Sequence, residues 1–173
     1  IFAFLKNGIS IKYVRSKESE LSDSSCGYFI VNKVRVDIKG KFEKDFACDL
    51  DVSSFRIYQA SFKSKRYLLI TAITNGSGTA TTTVILNLVD MSSGIPKHYP
   101  LWSKFGSNLS FGDFNKDGVL DFIEIRPYKD RDHFVATFAT LGSNGFVKDE
   151  KSFRILRYNG ESIFMESTNN FPY

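Results

Sequence analysis

An all-β fold is predicted for this chain of 173 residues from its composition, its alternation and its turn signals. The 17 Phe and 8 Tyr, together with frequent Thr, Ser, Val and Ile, suit half-buried pleated surfaces. Apolar and polar residues alternate with a period of two, whereas no window sustains a helical period. Asn-Gly and Ser-Gly pairs separate the alternating stretches. We therefore predict one β-rich domain over 1–173, with antiparallel hairpins arranged as propeller-like blades or as a sandwich.

The individual strands follow from this alternation in chain order. Val34–Ile38, Val84–Val89 and His133–Leu141 each place apolar side chains on one face. Tyr67–Ile73 is apolar on both faces, and so is Leu120–Ile125 apart from its two carboxylates, which is typical of central strands. The best helical candidate, residues 16–22, is short and polar enough to be a loop.

These strands pair into hairpins that recur along the chain. The predicted pairs are Tyr67–Thr74 with Thr81–Val89 across Asn75–Gly78, Leu120–Arg126 with His133–Leu141 across Lys129–Asp132, and Ile9–Arg15 with Tyr28–Val36. Leu68 and Leu120 are 52 residues apart, and Val84 and Val135 are 51 apart. This spacing is typical of propeller blades. Three such units are fewer than a closed propeller needs, so a sandwich or a bent meander is the alternative.

Charge and cysteine usage restrict the partners and the compartment. The net charge is +4, but basic and acidic residues are interspersed, so no nucleic-acid partner is predicted. No apolar run is long enough for a transmembrane helix. Cys26 and Cys48 could form a disulfide in an exported protein, or remain two buried thiols. The chain begins at Ile1 rather than Met, so we expect that a segment was removed, either as a signal peptide or by the choice of the expressed fragment, and export is favoured.

One short segment, residues 111–121, carries a pattern of metal-ligating residue types. Oxygen-bearing side chains stand at positions 1, 3, 5 and 9 of a loop whose position 6 is Gly118. This glycine permits a positive φ, which turns the position 7 carbonyl inward. Carboxylate, amide and carbonyl oxygens suit Ca²⁺, and three carboxylates would repel one another without a cation. The predicted calcium ligands are Asp113, Asn115, Asp117, the Val119 carbonyl and Asp121. The alternative is an Asx-rich turn without a metal.

Two families use this spacing. An EF-hand would add Glu124 as a ligand, but it requires helices, and Val119–Arg126 reads as a strand, so Glu124 is predicted to be an alternating strand residue. The segment resembles more closely the FG-GAP/VCBS-type repeats, the calcium-loop blades of integrin-like β-propellers. The resemblance covers the loop Gly112–Asp121, the apolar strand Phe122–Ile125 and the later Leu141–Phe146. It implies the same five ligands and recognition of proteins or glycans outside the cytoplasm.

Three function classes remain. The leading one is a non-catalytic calcium-binding interaction module that is secreted, periplasmic or at the cell surface and recognises a protein or glycan. This class is favoured because no nucleophile motif is present and all predicted ligands come from one loop. The alternative is a small secreted or periplasmic inhibitor, such as an immunity protein that blocks a toxin enzyme. A calcium-dependent hydrolase would use Glu124 with Asp130 or Asp132.

Overall fold

The structure of the protein is a computed structural model that describes residues 2–6, 9–15, 27–37, 50–74, 83–128, 130–159 and 161–169. In these ranges it has thirteen β-strands, one 3-10 turn at Asn108–Ser110 and no α-helix, which confirms the all-β prediction. The strands are β1 Phe2–Lys6, β2 Ile9–Arg15, β3 Gly27–Val31, β4 Val34–Asp37, β5 Leu50–Phe62, β6 Lys65–Thr74, β7 Val84–Asp90, β8 Lys97–Ser103, β9 Phe111–Gly112, β10 Asp121–Tyr128, β11 Asp130–Gly142, β12 Gly145–Tyr158 and β13 Ile163–Asn169. The described ranges contain no helix with the length and apolar character required to cross a membrane.

Three antiparallel sheets account for these strands. Their orders are β1-β2-β3-β4, β5-β6-β7-β8 and β13-β12-β11-β10-β9, so sequence neighbours pair within each sheet. This confirms the predicted antiparallel hairpins. The chain divides into two compact units, Ile1–Leu101 and Trp102–Tyr173, and a single domain over 1–173 stays a prediction. The candidate helix at 16–22 and both cysteines, Cys26 and Cys48, lie outside the described residues.

The first unit shows where the hairpin prediction was right and where it missed a turn. β2 pairs with β3 as expected. The predicted strand Tyr28–Val36 is instead two strands, because Asn32 and Lys33 adopt φ of 48° and 72° and reverse the chain. Two successive positive φ values are what a type I′ hairpin turn requires. The turn lacks glycine, which is why the sequence pattern did not reveal it.

The central strand of the second sheet is β6. It pairs with β5 on one side and with β7 on the other, as its apolar run predicts. Leu68 and Ile70 are at most 1% exposed, and Leu69, on the other face, is 2% exposed. Burying each such side chain stabilises the fold by about 1.5–3 kcal/mol. Both faces of this strand therefore contribute to the core of the first unit.

In the second unit, β10 pairs with β11 and positions the candidate site. Asp121 stands opposite Thr140, and Glu124 stands opposite Thr137. Because strand side chains alternate, Asp121 and Glu124 lie on opposite faces. The Asp121 face holds an apolar cluster, and the Glu124 face holds contacting aromatic rings. The cluster contains Phe114, Ile123, Ile125, Ala136, Phe138 and Leu156, and the rings are those of Phe111, Phe122 and Phe146, with centroids 5.0–6.2 Å apart.

Candidate metal centre

The predicted calcium loop connects two paired strands of the third sheet. β9 pairs with β10 through Gly112 opposite Asp121, so residues 113–120 form the connection between them. Lys116 and Gly118 have φ of 62° and 81°, which turns the chain sharply twice within three residues. The positive φ expected at Gly118 is therefore confirmed. This geometry keeps the beginning and the end of the loop next to each other at one edge of the sheet.

The side chains predicted as the first three ligands bind the backbone of the loop itself. Both carboxylate oxygens of Asp113 accept from the Gly118 N–H at 3.1 Å. Asn115 Oδ1 accepts from the Asp117 N–H at 3.0 Å, and Asn115 Nδ2 donates to Asp117 Oδ2 at 2.8 Å. Asp117 Oδ1 accepts from the Val119 N–H at 2.7 Å. The three side chains thus gather within one loop, and their oxygens are bound to N–H donors.

Asp121, the last predicted ligand, is fully buried at 0% exposure. Its Oδ2 accepts from the Phe114 N–H at 2.9 Å, and its Oδ1 accepts from the Thr140 hydroxyl at 2.8 Å. Burial raises the pKa of Asp121, the negative charge of Asp117 adds to the rise, and bonds from Thr140, Phe114 and the Asn115 backbone oppose it. Every donor that the described residues provide to this buried carboxylate is therefore neutral.

The carboxylates of the loop differ from the carboxylate of Glu124 on β10 in that no described cation pairs with them. Among the described residues, no Lys or Arg forms an ion pair with Asp113, Asp117 or Asp121. Lys116, the loop's own cation, is exposed. The same residues contain no group of three or more His, Cys, Asp or Glu side chains arranged to hold a metal ion. By donor type and charge the loop fits a hard divalent cation, whereas its present hydrogen bonds complete an Asx-rich turn.

Glu124 has the opposite environment, although it lies three residues further along the same strand. It is 3% exposed, and its Oε1 accepts from Arg126 Nε and Nη2, both at 2.7 Å. Lys148 Nζ forms an ion pair with Oε2. The Arg126 guanidinium also lies 4.8 Å from the centre of the Trp102 ring. Glu124 is thus a strand residue, as expected, with both carboxylate oxygens engaged by cations.

The two described carboxylates of the hydrolase hypothesis differ in burial, since Glu124 is 3% exposed and Asp132 is exposed. Asp132 lies in the part of β11 where the pairing with β10 shifts register, between the partners of Pro127 and Tyr128. The Asp130 side chain lies outside the described residues.

One residue of the site was missed in the sequence. Thr140 lies 19 positions from Asp121 along the chain, yet its hydroxyl binds the Asp121 carboxylate. The predicted pairing of Leu120–Arg126 with His133–Leu141 was right, but only its register places Thr140 opposite Asp121. A residue-by-residue alignment of the two strands would have revealed this neighbour.

Comparison of the chain with protein-family models, with curated proteins and with solved structures found no match. The resemblance to FG-GAP/VCBS-type repeats therefore rests on the residues of Phe111–Phe146 themselves.

Proposed function

We propose that the protein is a non-catalytic calcium-binding module, secreted, periplasmic or at the cell surface, that recognises a protein or glycan partner. One observation carries this proposal. The loop holds three carboxylates, one of them fully buried, and no described cation neutralises them. A buried, unpaired charge is costly, and a bound Ca²⁺ would offset the cost. The ligands would be Asp113, Asn115, Asp117, the Val119 carbonyl and Asp121.

The role of the ion would be structural rather than catalytic. All five ligands belong to one continuous loop, so a bound ion would tie β9 to the start of β10. Ca²⁺ takes about six to eight oxygens, so the five ligand groups would need a bidentate carboxylate or bound water to complete the shell. The structural role is inferred because every protein ligand would come from this one loop. Outside the cytoplasm even a weak site, with a dissociation constant of about 10⁻⁴–10⁻³ M, is occupied by calcium. An exported module would therefore hold calcium even at such a site.

An apolar side chain close to the loop in sequence supports the recognition role. Leu109 is 80% exposed and lies in the 3-10 turn that immediately precedes β9. The Ser107 hydroxyl accepts from the Leu109 N–H at 3.1 Å, and Ser110 Oγ accepts from the Ser107 N–H, also at 3.1 Å. This capping box fixes the turn that presents Leu109. Because the backbone of the turn is already fixed, it loses little conformational entropy when a partner covers Leu109.

The experiment combines calcium titration with capture of a partner. Calorimetry on the chelator-treated protein should show one saturable calcium site, which Asp117→Ala weakens by at least about tenfold, since one charged ligand is lost. Glu161→Ala, which removes an exposed carboxylate outside the loop, is the matched control and should bind calcium normally. Immobilised protein should then capture a secreted protein or a glycan in calcium, and not in chelator.

Each result has a defined consequence. Absence of calcium binding in the wild-type protein would contradict the metal site. Calcium binding without any calcium-dependent partner would contradict the recognition role. A tight one-to-one complex with an enzyme, formed equally in chelator, would replace the proposal by the inhibitor alternative.

A further inference from the structure

A cavity of about 410 Å³ lies within the first compact unit, and none of its lining residues belongs to the metal loop. Small-molecule sites usually occupy about 300–1,000 Å³, so the cavity could hold a ligand of modest size. Its walls come from β2, the β3–β4 turn, the β5–β6 hairpin and the residue after β7. The lining residues that matter here are Ile9, Asn32, Gln59, Ser61, Arg66 and Met91.

Asn32 is fixed so that its amide presents donors. Its Oδ1 accepts from the Ser10 N–H at 2.9 Å, and its own N–H donates to the Ser10 carbonyl at 2.9 Å. An asparagine amide has one acceptor oxygen and two N–H donors. Since the oxygen is bound to the backbone, the hydrogen-bonding capacity that Asn32 adds to the cavity is mainly that of its Nδ2 donors.

Arg66 adds a positive charge to the same cavity. Its backbone is held on both sides, since its N–H donates to Ser92 Oγ at 2.9 Å and its carbonyl accepts from the Met91 N–H at 2.8 Å. Its exposed guanidinium pairs with no carboxylate among the described residues. The neighbouring Lys65, on the other face of β6, pairs instead with Asp90 at 3.6 Å.

The other described lining residues add a hydroxyl donor and apolar surface to the cavity. Ser61 stands opposite Arg66 in the β5–β6 register, and its hydroxyl is a further donor. No Asp or Glu is among the described residues that line the cavity. Ile9 and Met91 provide an apolar wall for the carbon atoms of a ligand. A site with one unpaired guanidinium, several N–H and O–H donors and no carboxylate favours anionic oxygens over neutral or cationic groups.

We propose that this cavity binds the carboxylate or phosphate group of a small ligand, with the Arg66 guanidinium as the principal contact and Asn32 Nδ2 and the Ser61 hydroxyl as further donors. The proposal goes beyond the calcium-dependent module, because no residue of the metal loop takes part in it. Binding at this cavity needs no calcium.

The test titrates the protein with inorganic phosphate, glucuronate and glucose, in chelator so that the metal site plays no part. Phosphate or glucuronate should bind saturably, and glucose should not, because it has no charged oxygen. Arg66→Gln should weaken anion binding by about tenfold or more, since the bidentate charge-assisted contact is lost. Lys63→Gln is the matched control, because it removes an equal charge from the same hairpin outside the cavity lining and should change affinity less than about twofold.

A second variant separates binding from folding. Asn32→Asp retains an acceptor for the Ser10 N–H and tolerates the positive φ, but replaces the two donors by an oxygen. It should fold normally by circular dichroism and lose anion binding. The proposal is overturned if neither anion binds the wild type, if glucose binds as well, or if Arg66→Gln binds as tightly. The stronger of the two anions shows whether a carboxylate or a phosphate is preferred.

Discussion

Asp121 and Glu124 are two buried carboxylates on one strand, three residues apart and on opposite faces, and they are neutralised differently. Glu124 is held by Arg126 and Lys148. Asp121 is held by the Thr140 hydroxyl and by backbone N–H groups, with no described cation. Among the residues that the structure describes, the protein therefore supplies a counter-charge for Glu124 and none for Asp121.

This difference indicates which part of the protein depends on a cation from solution. Hydrogen bonds from neutral donors recover part of the cost of burying a charge, whereas an ion pair with further hydrogen bonds recovers more. Asp113 and Asp117 add two charges of the same sign to the Asp121 loop. A cation from solution would balance the charge of that region, whereas Glu124 already has two cationic partners in the protein. The following experiments test this asymmetry.

The largest expected effect is the response of the melting temperature to calcium. At a concentration about 100 times the dissociation constant, a ligand of the native state adds about 2.7 kcal/mol to the free energy of unfolding. For a chain of this length that corresponds to a rise of roughly 5–10 °C. Asp121→Asn should abolish the rise, because it removes a charged ligand while its amide can still bond to Thr140. Scanning calorimetry in calcium and in chelator measures both values.

Glu124→Gln is the matched control for that measurement. It neutralises a carboxylate of the same strand on the other face and should retain the full calcium-dependent rise. The proposed difference between Asp121 and Glu124 would be refuted if calcium still raised the melting temperature of Asp121→Asn. It would also be refuted if calcium no longer raised the melting temperature of Glu124→Gln.

The second effect is the stability that the Glu124 ion pairs contribute. Removing one partner of a fully buried pair costs about 3–5 kcal/mol. The side chains of Arg126 and Lys148 are 41% and 34% exposed and can be hydrated, so a smaller loss is expected. Glu124→Gln should lower the free energy of unfolding by about 1–2 kcal/mol, equally in calcium and in chelator. Urea denaturation under both conditions measures this loss, and a loss confined to one condition would contradict the separation of the two regions.

The sequence predicted what depends on local pattern. The pairing of β6 with β7 and of β10 with β11 followed from apolar runs, alternation and turn signals, and the positive φ of Gly118 followed from loop chemistry. The Asn32–Lys33 turn did not, because it lacks glycine. The Thr140 bond to Asp121 and the two cations on Glu124 were also missed, because they depend on register between distant strands.

The third effect concerns the backbone of the loop. Gly118 has φ of 81°, where a side chain is strained, whereas nothing lies within 4 Å of a Cβ placed on Gly94. Gly118→Ala should therefore destabilise the protein by about 1 kcal/mol. Gly94→Ala should be nearly neutral, and gains or losses within about 0.5 kcal/mol are expected for such a surface site. Urea denaturation compares the two, and equal stabilities would show that the turn at Gly118 can relax.

The smallest expected effect is on how the stability of the protein changes with pH. The direction of this change should be opposite in chelator and in calcium. Burial raises the pKa of Asp121, so without a metal the folded state holds this proton more tightly than the unfolded chain. The protonated Asp121 therefore contributes its full stabilisation below the ordinary pKa of 3.8. This stabilisation is lost as the pH rises through the higher pKa that Asp121 has in the folded state. Asp121→Asn has no such proton, so the stability of the wild type relative to this variant should fall with rising pH in chelator.

In saturating calcium the same difference should rise with pH, because the ion binds the deprotonated carboxylates and displaces the proton. Parallel urea denaturations of both proteins across the acidic range, in calcium and in chelator, measure the two slopes. Subtracting the free energy of unfolding of the variant from that of the wild type cancels the titration of the other carboxylates. The remaining change with pH belongs to Asp121 and to groups coupled to it. If the stability difference changed with pH in the same direction in both solutions, the Asp121 carboxylate would not contact the ion. The neutral donors of Thr140 and of the loop backbone would then be enough to stabilise this carboxylate.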